Sequence, residues 1–402
     1  MSCRIKSSSQ SPAPLHVLWH IVHYLAMARL ITLFLFTLLF NFIDAKFPQL
    51  SLPKTTGPHN VGTISTELLD EARSDPYAPS SQKRSLMIQF FYPTNTTKGF
   101  KLAPYMSAAA AQFYNQLSNL PNNTFEQFQG RSYLGAPITT SKLPVVLFSP
   151  GMGVSRFLYT AMVSNLASQG YLVVALDHPY DASIVEYPDG RVVPSAFNAN
   201  QTVDDILKAM EVRSQDVRFV LNQLSHLASS KKIPGLSGPI NVERVGMFGH
   251  SLGGATAANV MLNDSRIAAG FNMDGSFFGP VINQGLDKPF ALMGASDNGA
   301  FDDDSWNKTW ANLRSRRTSL VLANSSHFTF SDGPIWTALL NASKVDVPEG
   351  ITSYMGKING LRANTVTNAY ITAFFNSILR NTSEPLLEKP DPQFPEIIFD
   401  RV

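Results

Sequence analysis

Gly249-His250-Ser251-Leu252-Gly253 carries the clearest chemistry in the sequence, a serine with glycine two positions away on either side. In this G-x-S-x-G pattern the serine sits at the tip of a tight strand-to-helix turn, and the glycines let strand and helix approach without a Cβ clash. The RVGMFG run at 244–249 reads as the strand, and Gly254-Ala255-Thr256-Ala257-Ala258 reads as the small-residue start of the helix. A serine hydroxyl attacks a carbonyl well only when a base takes its proton. Beyond the N-terminal leader the histidines are His59, His178, His226, His250 and His327. His59 precedes the first expected strand, and His226 falls in a long helical segment. His250 adjoins the serine and is expected to pack away from its hydroxyl. His178 stands at a strand end within reach of a substrate. His327 follows the last expected strand, in the chain order Ser…Asp…His of this architecture, and is the expected base.

Two aspartates compete for the role of the acid. Asp274 ends the strand directly after the nucleophile helix, and Asp297 ends the following strand. Both are topologically sound; spacing leans towards Asp297 and leaves the choice open. A tetrahedral intermediate also needs two donors aimed at its oxyanion. The N–H of Leu252 is one candidate. The N–H of Met152, in the Ser149-Pro150-Gly151-Met152-Gly153 loop, is the other. That loop lacks the lysine and spacing of a phosphate-binding P-loop. Asp302-Asp303-Asp304 reads as a solvated helix start, since a metal cluster would want histidine or distributed carboxylates nearby. No metal and no cofactor are expected. Phe277-Phe278, just after Asp274, either lines an acyl pocket or belongs to the core.

These residues need a scaffold of strands. Apolar runs at 86–93, 143–148, 171–176, 244–249, 268–273, 290–293 and 320–322 read as buried strands, several ending in Pro, Gly, Ser or Asp. Between them, 157–169 and 204–228 have helical spacing, and 365–379 reads as a closing helix. Continuous rather than alternating hydrophobicity argues for an α/β fold with a mostly parallel central sheet and helices on both faces. Ligands in such sheets bind at the C-terminal strand ends, where Ser251, Asp274, Asp297 and His327 are all expected.

Several motifs in order make the chain similar to a known family. They include Asp75-Pro76-Tyr77, RSLMIQFFYPT at 84–94, Pro104-Tyr105-Met106, LPVVLFSPGMG at 143–153, NLASQGYLVVALDHPYDAS at 165–183, GHSLGG at 249–254, MDG at 273–275 and SSHFTFSD at 325–332. With these the chain resembles the platelet-activating-factor acetylhydrolases of the secreted, calcium-independent, lipoprotein-associated type and their microbial, fungal-type relatives, over most of residues 62–379. The resemblance implies an α/β-hydrolase fold and hydrolysis of short or oxidised sn-2 acyl groups on phospholipids without metal. It also implies that the acid is Asp274 rather than Asp297, because the family takes it from the strand after the nucleophile helix. Pro150 departs from the histidine of animal members, one or two residues before the expected donor. Residues 107–140 match poorly, and with 183–202 they are candidates for pocket walls particular to this chain.

The rest of the sequence bounds the alternatives. With 402 residues, 44% hydrophobic and 15% charged, the chain can bury a large core. A net charge of +2 and the lack of any basic run argue against nucleic acid as a partner. The only cysteine is Cys3, so the body has no disulfide, thiolate nucleophile or cysteine-bound zinc. Arg29, the apolar run 30–40 and the Ile43-Asp44-Ala45 end form a secretory signal pattern too short to span a bilayer. Residues 1–45 are thus expected to be a leader, with Met27 as an alternative start, and residues 46–402 a single domain. An uncleaved signal anchor is the alternative. Asn-x-Ser/Thr sequons at Asn95, Asn122, Asn200, Asn263, Asn307, Asn324, Asn341 and Asn381 support secretion. The expected partner is a small lipid or ester substrate, with a membrane or lipid-aggregate surface as a possible platform. The rival readings are a general carboxylesterase, lipase or polyester hydrolase, and a catalytically inactive hydrolase-fold binding protein.

Overall fold

The computed structural model describes residues 50–140, 142–197, 200–227, 233, 235–236, 240–297 and 303–401. The expected leader lies outside them. In chain order the strands are β1 (Leu50–Ser51), β2 (Asn60–Ser74), β3 (Lys83–Thr94), β4 (Leu102–Pro104), β5 (Phe128–Leu134), β6 (Val145–Ser149) and β7 (Leu172–Asp177). They continue with β8 (Ile184–Glu186), β9 (Val192–Pro194), β10 (Val245–His250), β11 (Ile267–Met273), β12 (Phe290–Ala295), β13 (Arg317–Leu322) and β14 (Ile397–Arg401). The helices are α1 (Ala108–Leu117), α2 (Thr160–Ser168), α3 (Val203–Leu227), α4 (Leu252–Asn263), α5 (Val281–Gln284), α6 (Asp304–Asn312), α7 (Gly333–Ala342), α8 (Glu349–Thr352) and α9 (Gly360–Leu379).

The main sheet runs β1-β5-β2-β3-β7-β6-β10-β11-β12-β13-β14, with β4 on β5. From β7 to β13 every pairing is parallel. All residues of β6, β7 and β10 are buried, which is why these strands read as unbroken apolar runs. Their side chains alternate between two faces. Val145 and Leu147 join Val217, Val220 and Leu224 of α3 and Ala257 and Val260 of α4. Val146 and Phe148 join Met162 and Leu166 of α2 and Tyr370 and Phe374 of α9. The sheet is therefore covered on both faces, as an α/β hydrolase requires.

Register fixes the site. β6 lies between β7 and β10, so the chain leaves its end at a topological switch point, where such sheets place ligands. Ser149 pairs with Gly249, His250 with Met273, and Ala295 with Leu322. The loops after β6, β10, β11, β12 and β13 thus emerge side by side.

The sequence reading holds for the central strands and differs at the periphery. The 157–169 segment opens as a 3-10 turn at Arg156–Tyr159 before α2 begins. The closing helix starts five residues earlier than expected, with Asn359 as its cap accepting from Leu361 and Arg362 N–H. β2, β5 and the antiparallel edge strand β14 were not anticipated. β2 mixes exposed and buried positions, and β14 has a single buried residue, so neither forms an apolar run.

Candidate active site

Ser251 sits between β10 and α4 with φ 53° and ψ −127°, a left-handed conformation that side-chain-bearing residues rarely adopt. Its N–H donates to Met273 O at 2.8 Å, tying the turn to β11. The glycines are needed for close approach: a Cβ on Gly253 would run into Ser149 O, and one on Gly249 into the Gly253 backbone. Asp274 also has a positive φ of 53°, directly after β11.

His327 Nδ1 lies 2.6 Å from Asp274 Oδ2, with the carboxylate nearly buried and the imidazole about one-third exposed. The other carboxylate oxygen accepts Ala295 N–H at 2.7 Å, so the end of β12 fixes its angle. A ring nitrogen facing a carboxylate is the protonated one, which leaves Nε2 free to accept a proton. Asp297 is placed differently. Its carboxylate accepts a short hydrogen bond from Ser326 Oγ, and its N–H donates to Ser325 O. It braces the loop before His327 rather than the ring. Among the described residues no hydrogen bond joins Ser251 Oγ to His327, and such bonds are often long until substrate is bound.

The expected oxyanion donors flank the serine. Leu252 is the first residue of α4, so its N–H has no partner within the helix. Across from it, a Cβ on Gly151 would stand 3.5 Å from Ser251 Cβ, which brings the 149–153 loop against Ser251. Among the described residues the Met152 N–H meets no acceptor.

Nothing local in the sequence signals what holds that loop. Buried Arg213, on α3, donates to Pro150 O at 2.6 Å and Gly151 O at 3.1 Å, and makes a two-bond pair with Asp181. Asp181 in turn accepts Gly153 N–H at 3.3 Å. The residues before and after Met152 are therefore clamped by one ion pair. His178 is expected from its strand-end position to be able to touch substrate, but it is fully buried. Its Nδ1 lies 2.9 Å from Asp216 and its Nε2 3.0 Å from Ser149 Oγ. Burial and then the nearby Arg213 hold its pKa below the ordinary value, so the ring is neutral at pH 7. Burial alone would raise Asp216, yet Arg84 and His178 keep it well below the usual carboxylate range. The interaction partners of these groups lie far away in the chain, so spacing gave no signal for them.

His250 is buried as expected, but it also bridges two loops. Gly151 N–H donates to Tyr159 OH at 3.1 Å, Tyr159 OH lies 2.9 Å from His250 Nδ1, and His250 Nε2 lies 2.9 Å from His327 O. Burial first, and then His327, hold the His250 pKa well down, so the ring is neutral. Nε2–H donates to the carbonyl and Nδ1 accepts from the tyrosine. The 149–153 loop and the loop that carries His327 are thus joined through Tyr159 and His250. His226 lies near the C-terminus of α3, as expected.

Phe277 and Phe278 differ in burial. Phe277 is buried against Phe290 and Trp306. Phe278 is only partly buried and packs on Leu252 and Met210. Asp303 caps α6 through Ser305 and Trp306 N–H, as a helix start should, while Asp302 lies outside the described residues. Among the described residues no cluster of three or more His, Cys, Asp or Glu could hold a metal.

Two expected outcomes follow from these buried groups. Arg213→Met leaves Asp181 buried without its partner and is expected to lower stability by about 3–5 kcal/mol, read by urea unfolding. It should also lower kcat with little change in KM. Asp332, buried before α7, accepts Ala161 N–H at 3.0 Å, and burial pushes its pKa up to about 7. The folded protein therefore holds this proton more tightly than the unfolded chain, and stability falls as pH rises from the ordinary carboxylate range to about 7. Asp332→Asn should flatten that slope in thermal melts and gain on the parent protein at pH 8 but not at pH 4.

Known proteins bear on this geometry. The chain is 28% identical to a probable 1-alkyl-2-acetylglycerophosphocholine esterase of Arthroderma benhamiae, covering 89% of this chain and 96% of that protein. It is 21% identical to the platelet-activating factor acetylhydrolase of Cavia porcellus, covering 83% and 79%. Among solved structures, a ferulic acid esterase from Streptomyces cinnamoneus superposes with a TM-score of 0.76 at 31% identity, covering 88% of this chain and all of that one. These relatives are esterases and acetylhydrolases, and the chain is a carboxylic ester hydrolase of the α/β-hydrolase fold. The family model for platelet-activating factor acetylhydrolase, isoform II, matches residues 44–380, and the chain belongs to that family.

Proposed function

We propose that this chain hydrolyses short acyl esters, foremost the sn-2 acetyl group of a 1-alkyl-2-acetylglycerophosphocholine, through Ser251, His327 and Asp274. The observation that carries the chemistry is the 2.6 Å contact between His327 Nδ1 and Asp274 beside an elbow serine. Ser251 Oγ attacks the ester carbonyl as His327 Nε2 takes its proton. Asp274 stabilises the resulting imidazolium, and the Met152 and Leu252 N–H groups hold the oxyanion. His327 then protonates the leaving alcohol, and water repeats the sequence on the acyl-enzyme. The substrate class rests on the names of the Arthroderma benhamiae and Cavia porcellus relatives.

A second reading is a general carboxylesterase without phospholipid preference, favoured by the 31% identity to the ferulic acid esterase. A substrate panel separates the two. It sets 1-alkyl-2-acetylglycerophosphocholine and a long-chain phosphatidylcholine against p-nitrophenyl acetate and methyl ferulate, in the presence of a calcium chelator. Higher kcat/KM on the acetyl phospholipid than on the simple acetate supports the first reading; turnover of simple esters alone supports the second.

We also propose secretion. The leader pattern supports it, and the asparagine of every one of the eight sequons is exposed. Expression in a eukaryotic host should give glycosidase-sensitive protein in the medium. Retention on membranes with an intact N-terminus would favour the signal anchor.

A further inference from the structure

The end of the sheet opposite Ser251 carries a cleft of its own. Residues 142–144 lead into β6 and residues 241–244 lead into β10, paired strands whose far ends carry Ser149 and the Ser251 turn. The six residues of β10, at about 3.3 Å each, put roughly 20 Å between its two ends. Leu379 and Arg380, where α9 ends, close another side, and the cleft measures about 960 Å³. We propose that it binds a free single-chain amphiphile with an anionic head, of the fatty-acid class. The inference goes beyond the esterase reading and does not depend on it.

Floor and rim differ in chemistry. Ile240 and Val242 are buried and Leu143 and Leu379 half-buried, so the bottom of the cleft is aliphatic. Lys142, Arg244 and Arg380 stand exposed around it, against the single carboxylate of Glu243. Most of the described arginines pair with a carboxylate, but among the described residues Arg244 and Arg380 do not. Arg244 donates to Ile378 O at 2.6 Å. Arg380 donates to Gly170 O at 2.7 Å and lies 4.2 Å over the Tyr171 ring. These neutral partners hold the two guanidinium groups in place and leave their charge to be met by an anion, whose carboxylate or phosphate oxygens suit the guanidinium fork.

A small anion would meet the rim and gain nothing from the floor. An uncharged chain would cover the floor and strip water from the cations without a partner for them. A chain with an anionic head satisfies both, because its methylenes leave water over the aliphatic floor while the head meets the rim. A cleft of this volume lies at the upper end of the range of about 300–1,000 Å³ typical of small-molecule sites. An anionic bilayer would also attract the rim cations, but Ile240 and Val242 are recessed and cannot reach into it.

The test titrates dodecanoate, kept below the concentration at which it forms micelles, into the full chain by calorimetry. Dodecanoate should bind at least roughly tenfold tighter than octanoate, which has four methylenes fewer. It should also bind about tenfold tighter than dodecylphosphocholine, whose head has no net charge, and inorganic phosphate should give no saturable heat. Lys142→Glu reverses an exposed charge, so the fold should persist, and dodecanoate affinity should fall by about tenfold. Leu379→Trp fills the cleft and should weaken binding at least as much. Both variants should melt within a few degrees of the parent protein and keep its rate on p-nitrophenyl acetate within about twofold. Dodecanoate binding that is absent, or unchanged in Lys142→Glu, would overturn the assignment; the latter would place the acid at the Ser251 end of the sheet. Equal affinity for dodecylphosphocholine or inorganic phosphate would overturn it too. So would capture by anionic vesicles without binding of free dodecanoate, which would make this face a membrane contact.

Discussion

Ser251→Ala is expected to lower kcat/KM on every ester by roughly three to six orders of magnitude, leaving only what the oxyanion donors and binding supply. The size follows from the chemistry: without Oγ there is no acyl-enzyme, and water must attack directly. The substitution removes one atom at a position whose backbone is already held by Met273 O and by the close-packed glycines, so the fold should persist. A melting temperature within a few degrees of the parent would separate lost chemistry from lost structure. Activity within tenfold of the parent would remove Ser251 from the mechanism.

Asp274→Asn is expected to lower kcat by about four orders of magnitude. An amide in that place can donate to the ring and so favours the wrong imidazole tautomer, and it cannot stabilise the imidazolium. Asp297→Asn loosens only the Ser326 brace and should stay within about tenfold, as a positional rather than chemical change. Measuring both variants on one ester decides between the two aspartates. A collapse confined to Asp297→Asn would reverse the assignment.

How much of this was legible depends on how local each signal is. The elbow, β6, β7 and β10 announce themselves through short apolar runs with glycine punctuation, and these gave the fold. The choice between Asp274 and Asp297 was not local. Residue spacing leaned towards Asp297, and only the family resemblance pointed to Asp274. In space the two lie on neighbouring loops, and the orientation of a single carboxylate separates them. The Arg213–Asp181 clamp joins residues 32 apart, and Arg84 meets Asp216 across 132. A buried ion pair leaves no periodic trace, and each member reads in sequence as an ordinary surface charge. In sequence His250 reads as a packing residue because it adjoins Ser251. Its bridging role exists only once Tyr159 and the His327 carbonyl have been folded against it. β14 escaped because it is a half-exposed edge strand.

The most direct test is covalent. A fluorophosphonate probe reacts with a serine only where a base and oxyanion donors activate it. Incubated with the full chain and mapped by peptide mass spectrometry, it should form a single adduct on Ser251, with inactivation proportional to labelling and protection by 1-alkyl-2-acetylglycerophosphocholine. No adduct, or stoichiometric labelling of another residue with Ser251 unmodified, would contradict the account.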